Sequence, residues 1–423
     1  MGAGRGSKFK GGEMKLKIAY IHMSFVYSGG GEKLVMKEVE WLRKQKHRVD
    51  CWSPLVWKEE CFPDLIKKLR VRELLPGFSW IYRKLQMNTM IYFLALLAPI
   101  VALRLKNYDI VVADHEPSAW FCFVAKRMFG IPYVLYLAQP TRLLYQRQID
   151  LEAGLRLTKP LRFSRLLGMV LRPVIFLLDR WVVREASFVV ANGWHSQQVV
   201  ETIYGREVEN CPAGAEGITE RVLRELRSVD KVKIDSMMIE KPYILLTNRH
   251  VPQKKFEYAI EIMKRLKRRW SDLKLVITGG ETEYTEELKE LVKKKGLNDR
   301  VRFTGYVEES DLKQLYAGAE VYIYTAPEED FGMGVIEAMA AGVPVVAWDS
   351  GGPSYTVLDE ETGFLVEPYQ VSVMGRVIEK LLRDKRLRQR MGRAGRVRAR
   401  QFTWKKHGQC LEKYLIKASK MAY

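Results

Sequence analysis

With 423 residues, 47% of them hydrophobic and 28% charged, the chain has the mixed composition of a soluble globular protein with an ample core, and its length implies about two domains. The 70 Lys and Arg against 50 Asp and Glu leave a formal net charge of +20, which fits nucleic acid, an anionic membrane surface or phosphate-bearing substrates as partners, or simply a solvated basic surface. No zinc-finger spacing or RNA-binding aromatic signature appears, so no nucleic acid partner is expected; five scattered cysteines without a C-x-x-C pair argue for a reducing compartment and against a disulfide framework or a structural zinc.

Residues 1–13 are rich in Gly, Lys and Arg without an apolar core, which reads as a flexible leader and not a signal peptide. An apolar, β-branched strand over 17–23 leads into Gly29-Gly30-Gly31-Glu32, a helix over about 33–45 and a second strand over 49–54. Consecutive glycines let backbone approach a bound group where side chains would collide, although an ordinary tight turn uses them equally well. The spacing is not G-x-G-x-x-G, so a nicotinamide cofactor is not expected, and no other cofactor is either.

The apolar stretch 91–103 is too short to span a bilayer and contains Pro99; it reads as a buried helix or as a membrane-surface contact. The strand over 109–113 ends in Asp114-His115-Glu116-Pro117, where polar residues at a strand's carboxyl end point into a ligand crevice, so His115 is either an acceptor-side group or a loop cap. A strand over 133–137 follows. Residues 155–184 mix Arg162, Arg165, Arg172, Arg180 and Arg184 with apolar side chains, a pattern suited to an anionic lipid surface or to covering a cleft. A strand over 188–192 closes the first half, and charged, irregular sequence over 211–240 reads as an interdomain connection.

The second half opens with a strand over 243–247. Arg249 follows and Lys254 comes five residues later, two cations near the start of a helix running to about Trp270, an arrangement suited to a diphosphate. Strands over 273–278 and 301–303 each run into a glycine loop, at Gly279 and at Gly305. The strand over 321–324 then meets Pro327-Glu328-Glu329-Asp330-Phe331-Gly332-Met333-Gly334, which opens a helix at about Gly332 that ends at Gly342 and Pro344, before another strand and Ser350-Gly351-Gly352. Glu329 lies in the loop and Glu337 on the helix, spaced to grip two ends of one polyhydroxylated ligand near free helix N–H groups. Nothing in the stretch resembles a metal clamp.

This stretch resembles the E-x7-E signature of the retaining GT-B glycosyltransferases of family 4 (glycosyl transferases group 1), down to the Phe-Gly after the first Glu, the Glu-Ala-Met-Ala helix and the Gly-x-Pro-Val-Val turn. The resemblance covers nearly all of the chain from Met14, strongly over 249–352 and loosely before. It implies an α/β fold class of two Rossmann-like domains facing across a cleft (GT-B): an acceptor-binding domain over 14–210, a connection over 211–240, a nucleotide-sugar-binding domain over 241–402, and a helix over 403–423 returning to the first domain.

By the same resemblance, Arg249 and Lys254 clamp the donor diphosphate, Glu329 holds hydroxyls of the transferred sugar and Glu337 those of the ribose. Phe331, Gly332, Met333, Gly279 and Gly305 line the donor, and Gly30 and Gly31 face the acceptor, beside His115, whose acceptor-side or loop-capping role rests on its place at the strand end. Relatives often carry His in the loop after the strand over 133–137, where this chain has Ala138, which removes one candidate acceptor-binding or proton-relaying group. The implied activity is retaining, metal-independent transfer of a hexosyl group, mannosyl or glucosyl, from a nucleoside-diphosphate sugar to a lipid-linked or glycan hydroxyl; the net charge of +20 with the apolar 91–103 and basic 155–184 stretches points to a cytoplasmic protein peripheral on the inner face of the cell membrane. The alternatives are a nucleotide-sugar epimerase on the same fold or a non-catalytic sugar-binding protein at a membrane surface.

Overall fold

The computed structural model describes residues 14–85, 94–142, 144–153, 162–234 and 237–421. The leader over 1–13 and the beginnings of the 91–103 and 155–184 stretches lie outside them. The chain divides into two compact units, residues 1–212 with 405–423, and residues 213–404.

In the first unit β1 (Lys17–His22), β2 (Ser24–Phe25), β3 (Arg48–Ser53), β4 (Leu55–Val56), β5 (Arg72–Glu73), β6 (Ile110–Asp114), β7 (Tyr133–Tyr136), β8 (Phe188–Ala191) and β9 (Glu209–Asn210) follow in sequence, and seven of them form a parallel sheet in the order β5-β3-β1-β6-β7-β8-β9. β1, β6, β7 and β8 are near-continuous apolar runs because a parallel sheet is covered on both faces. The helix Gly30–Lys44 begins at the glycines themselves, a turn earlier than expected, and buries Leu34, Val35, Val39 and Leu42.

The helix Trp404–Met421 packs on this unit. His407 Nε2 lies 2.7 Å from the buried Glu38 carboxylate, which also accepts from the Tyr20 hydroxyl, and Trp41 Nε1 donates to Glu412 at 3.2 Å. Gly408 is where the helix touches the Trp41 indole: a Cβ there would sit 2.3 Å from the ring. This return also corrects the cysteine reading. Cys211 and Cys410, 199 residues apart, form a disulfide, while Cys51, Cys61 and Cys122 are buried thiols. Scattered spacing hid the pair, because the two sulfurs meet only once the last helix has crossed back.

The second unit contains β10 (Lys231–Ile234), β11 (Met237–Glu240), β12 (Tyr243–Thr247), β13 (Lys274–Thr278), β14 (Val301–Gly305), β15 (Val321–Tyr324), β16 (Val345–Trp348) and β17 (Gly363–Val366), with a parallel six-stranded sheet in the order β14-β13-β12-β15-β16-β17. The 211–240 segment is more ordered than its charge suggests. It holds an amphipathic helix, Glu220–Ser228, capped by the Thr219 side chain, and the antiparallel pair β10–β11. The Arg227 guanidinium donates to the carbonyls of Ala341 and Gly342 at 3.0 and 2.7 Å, satisfying the end of the helix Met333–Ala340.

The apolar stretch of the first unit splits by face. In the 3₁₀ turn Leu94–Leu97 and the helix Ala98–Leu105, Leu94, Ala98, Val101, Ala102 and Leu105 are buried, whereas Leu96, Ile100 and Leu103 are exposed. The helix Arg162–Glu185 likewise exposes Val174, Leu177 and Trp181 beside Arg172, Arg180 and Arg184. Among the described residues no helix is long and apolar enough to cross a membrane.

Candidate active site

In the second sheet the strand order reverses between β12 and β15, and loops at the carboxyl ends of strands flanking such a reversal form the crevice where open α/β sheets hold ligands. The loop after β12 carries Arg249 and Lys254; the loop after β15 carries Glu329. The Lys254 ammonium donates to the Glu329 carboxylate, and both side chains are half-buried. The two loops are joined again through the Thr325 hydroxyl, which donates to the Lys254 carbonyl at 3.0 Å, while Trp348 Nε1 donates to the Thr325 carbonyl at 2.8 Å. Lys255 sits in the left-handed region at φ +51° and caps the start of the helix Phe256–Leu266.

Glu337 projects from the helix Met333–Ala340 onto a chain of hydroxyls that sequence reasoning missed. Tyr316 donates to Glu337 at 2.8 Å, the Thr247 hydroxyl lies 2.8 Å from that of Tyr316 and 2.9 Å from that of Tyr322, and Asn248 Nδ2 donates to the Tyr324 hydroxyl at 3.2 Å. Tyr322 and Tyr324 are two apart on one strand and so share a face, which was the available signal. Burial, aided by the negative charge of Glu329, holds the Tyr324 phenol well above its usual range, and burial with Glu337 does the same for Tyr316. Both phenols are therefore donors at neutral pH, oriented toward carboxylates.

The Ser-Gly-Gly after β16 braces the glutamate loop. Ser350 Oγ accepts from the Glu328 N–H at 2.9 Å, and the Gly352 N–H donates to the Glu329 carbonyl at 2.6 Å. A Cβ on Gly351 would sit 2.2 Å from the Glu329 oxygen, so only glycine permits this approach. Gly332, at φ +81°, is the residue from which the Met333–Ala340 helix starts, with Met333 in its first turn. Phe331 is buried with its ring 6.0 Å from that of Phe402, so its side chain is packed and only its backbone remains to face a ligand.

Gly279, at φ +143°, has a steric reason of its own: a Cβ would lie 1.8 Å from the Asn248 carbonyl, so it lets the β12 and β13 loops touch. Gly305 is at φ +67°, and its carbonyl accepts from the Gly279 N–H at 2.9 Å. His250, between the two cations, is buried against Phe256 and Phe303 with Nδ1 3.0 Å from the Thr285 hydroxyl, and burial lowers its pKa to about 4. It is a neutral core residue.

In the first unit His115 follows β6, at φ +60°, with Nδ1 2.9 Å from Asp114 Oδ1. Gly30 and Gly31 form the first turn of the Gly30–Lys44 helix, and a Cβ on Gly31 would meet nothing within 4 Å. Ala138 lies two residues beyond the end of β7. Among the described residues no cluster of three His, Cys, Asp or Glu side chains is placed to hold a metal ion.

A family profile described as "Glycosyl transferases group 1" matches residues 234–398, which include every one of the second unit's candidate residues. The human alpha-1,3/1,6-mannosyltransferase ALG2 is 26% identical over 392 residues, covering 88% of this chain and 89% of its own. A GDP-mannose-dependent alpha-(1-6)-phosphatidylinositol monomannoside mannosyltransferase from Mycolicibacterium smegmatis is 27% identical over 308 residues, covering 70% of this chain and 75% of its own. Among solved structures, Anabaena HepE in complex with UDP and glucose superposes with a TM-score of 0.70 at 19% identity, covering 94% of this chain and 98% of its own. Sucrose-phosphate synthase from Thermosynechococcus elongatus gives 0.73 at 20% identity, with the same coverage of 94% and 98%. Together with the two parallel sheets, these matches mean that residues 234–398 resemble the glycosyl transferases group 1 family and that the chain is a glycosyltransferase of the GT-B fold.

Proposed function

We propose that this glycosyltransferase moves a hexosyl group, mannosyl or glucosyl, from a nucleoside-diphosphate sugar to a hydroxyl of a lipid-linked or glycan acceptor, with retention at the anomeric carbon and without a metal ion. The observation that carries the reading is the Lys254–Glu329 pair beside the N-terminus of the Met333–Ala340 helix, on the two loops that flank the strand reversal. The bond from the anomeric carbon to the diphosphate oxygen breaks, a bond from that carbon to the acceptor oxygen forms on the same face, and the hydroxyl proton leaves on the departing diphosphate.

The barrier is chiefly charge accumulation on the leaving diphosphate, so placed cations and N–H dipoles lower it more than an enzyme nucleophile would. Arg249 and Lys254 supply the cations and the Gly332–Met333 backbone the dipoles. Glu329 holds sugar hydroxyls and Glu337 the ribose, while Gly30, Gly31 and His115 serve the acceptor. Metal independence rests on these cations and on the absence of any D-x-D triplet in the sequence.

The printed activities of the relatives, a mannosyltransferase and a GDP-mannose-dependent enzyme acting on a phosphatidylinositol mannoside, support a mannosyl donor and a lipid-linked acceptor. The mixed faces of Leu96, Ile100 and Leu103 and of Val174, Leu177 and Trp181 with neighbouring arginines support contact with an anionic leaflet on the cytoplasmic side. Incubating the protein with labelled GDP-mannose, UDP-glucose and related donors, an extract of native lipids and glycans, and excess chelator tests the reading. Label transferred in chelator supports it; transfer that returns only with added manganese or magnesium overturns the metal-free chemistry.

A further inference from the structure

The helix Glu309–Gly318 brings Tyr316 to Thr247, the last residue of β12, and to Tyr322 on the neighbouring β15, with the two tyrosine rings 5.6 Å apart. We propose that Tyr316 is a positioning residue that aims the Glu337 carboxylate at the ribose of the donor nucleotide, and that Thr247 and Tyr322 fix Tyr316 in turn; this rests on the reading of Glu337 as the ribose contact given above.

Tyr316 and Tyr322 are buried, in places where Phe would fill the same space. A phenol hydroxyl so placed is costly unless it is bonded, and both are. Tyr316 donates to Glu337 Oε2 at 2.8 Å, its oxygen lies 2.8 Å from Thr247 Oγ1, and that atom lies 2.9 Å from the Tyr322 oxygen. Tyr316 has one proton and a carboxylate only accepts, so the Tyr316 oxygen accepts from Thr247, and Thr247 accepts from Tyr322. The Thr247 carbonyl, at 3.4 Å, is the weaker acceptor for Tyr322. The hydroxyls therefore point one way, from Tyr322 through Thr247 and Tyr316 to Glu337, and each bond polarises the next toward the carboxylate. Burial, then the Glu337 charge, keeps the Tyr316 phenol protonated at neutral pH, and burial does the same for Tyr322.

Gly334 shows independently that the helix is built around these hydroxyls. It lies three residues before Glu337 on the helix Met333–Ala340, hence on the same face, and a Cβ there would sit 2.2 Å from the Tyr322 hydroxyl and 2.7 Å from Thr247 Oγ1. Glycine weakens a helix interior, and here it lets the turn before Glu337 close onto the hydroxyl chain.

The chain of hydroxyls also gives Glu337 a fixed frame. Thr247 ends the strand whose loop carries Arg249 and Lys254, so the carboxylate is tied to the element that presents the diphosphate cations. A glutamate tethered at Oε2 has already lost the rotamer freedom that an untethered one would lose when the ribose arrives.

The experiment is calorimetric titration of GDP and UDP, and of their 2′-deoxy analogues dGDP and dUDP, into wild type, Tyr316→Phe and Glu337→Gln, with the fold of each variant checked by circular dichroism. Tyr316→Phe keeps the ring and removes only the hydroxyl. Whichever ribonucleotide the wild type binds should bind at least about tenfold more tightly than its deoxy analogue, and Tyr316→Phe should weaken the ribonucleotide roughly 3–10-fold and the deoxy analogue by less, so that the preference shrinks. A role in packing alone would weaken both ligands alike, and that result overturns the proposal. If Glu337→Gln removes the preference and Tyr316→Phe keeps it in full, the positioning role is overturned and the ribose reading stands. If the wild type has no preference and Glu337→Gln binds as tightly, or if neither ribonucleotide binds, the ribose reading fails and the proposal falls with it.

Discussion

Lys254 and Glu329, 75 residues apart, hold each other by a charge-assisted hydrogen bond across the point where the second sheet reverses its strand order. Two residues that the sequence marks for separate ends of a donor, a phosphate clamp and a sugar contact, are one unit in the fold. Any group bound by one is therefore next to the other, and removing either leaves its partner's charge uncompensated.

Lys254→Ala and Glu329→Gln are expected to leave the fold intact, because both side chains retain solvent access and an ion pair of that kind contributes little to stability. Their kinetic deficits should differ. Lys254→Ala should weaken nucleoside-diphosphate binding and cut kcat/KM by roughly 100-fold or more, whereas Glu329→Gln should act mainly on kcat. Thermal melts together with initial rates decide the point; a collapse of the melting temperature would make the pair structural.

Two glycines in candidate positions should respond in opposite ways to alanine. Gly31 has open space at its Cβ and lies in a helix, so Gly31→Ala should keep or slightly raise stability, by about 0.5–1 kcal/mol, and lose acceptor turnover if the acceptor backs onto that turn. Gly279→Ala meets the Asn248 carbonyl at 1.8 Å with φ at +143°, and should cost more than about 2 kcal/mol in denaturant unfolding. Equal stability of the two variants would contradict the packing described.

His250 links stability to pH. Its pKa is lowered in the folded state to about 4, so the unfolded chain binds its proton first as the pH falls. The stability it contributes is complete above about 6.5 and is lost as the pH falls through 4, up to about 3 kcal/mol. Wild type should lose more stability than His250→Gln over this window in urea melts at stepped pH. Parallel curves would refute the burial argument.

The Cys211–Cys410 disulfide closes a 199-residue loop and fastens the last helix to the first unit. Changing both cysteines to serine should cost about 2–5 kcal/mol, and mild reduction of the wild type should lower its melting temperature to match. An unchanged melt under reduction would mean that the thiols are not joined in solution.

Much of this architecture was legible in the sequence, and the exceptions have physical reasons. The runs at 18–22, 110–113 and 321–324 are apolar on both faces, which only a covered parallel strand needs, and the Glu329 loop combines punctuation with charge in a way few loops do. β10 and the helix Glu220–Ser228 escaped because each is short and charged: in β10 exposed lysines alternate with buried Val232 and Ile234 over only four residues, too few for the period of two to stand out. The Tyr316–Thr247–Tyr322 hydroxyls and the His22–Asp114 contact were invisible for another reason. Each joins residues separated by a whole strand crossover, and only strand order brings them together.

The central claim is that the second unit holds a nucleoside diphosphate through Arg249 and Lys254, and calorimetric titration of the wild type and Arg249→Ala with GDP and UDP in excess chelator tests it most directly. The account predicts that the wild type binds at least one of the two without metal and that Arg249→Ala loses at least tenfold in affinity, about 1.4 kcal/mol. Equal affinity of the two proteins, or binding only when a divalent cation is added, would contradict it.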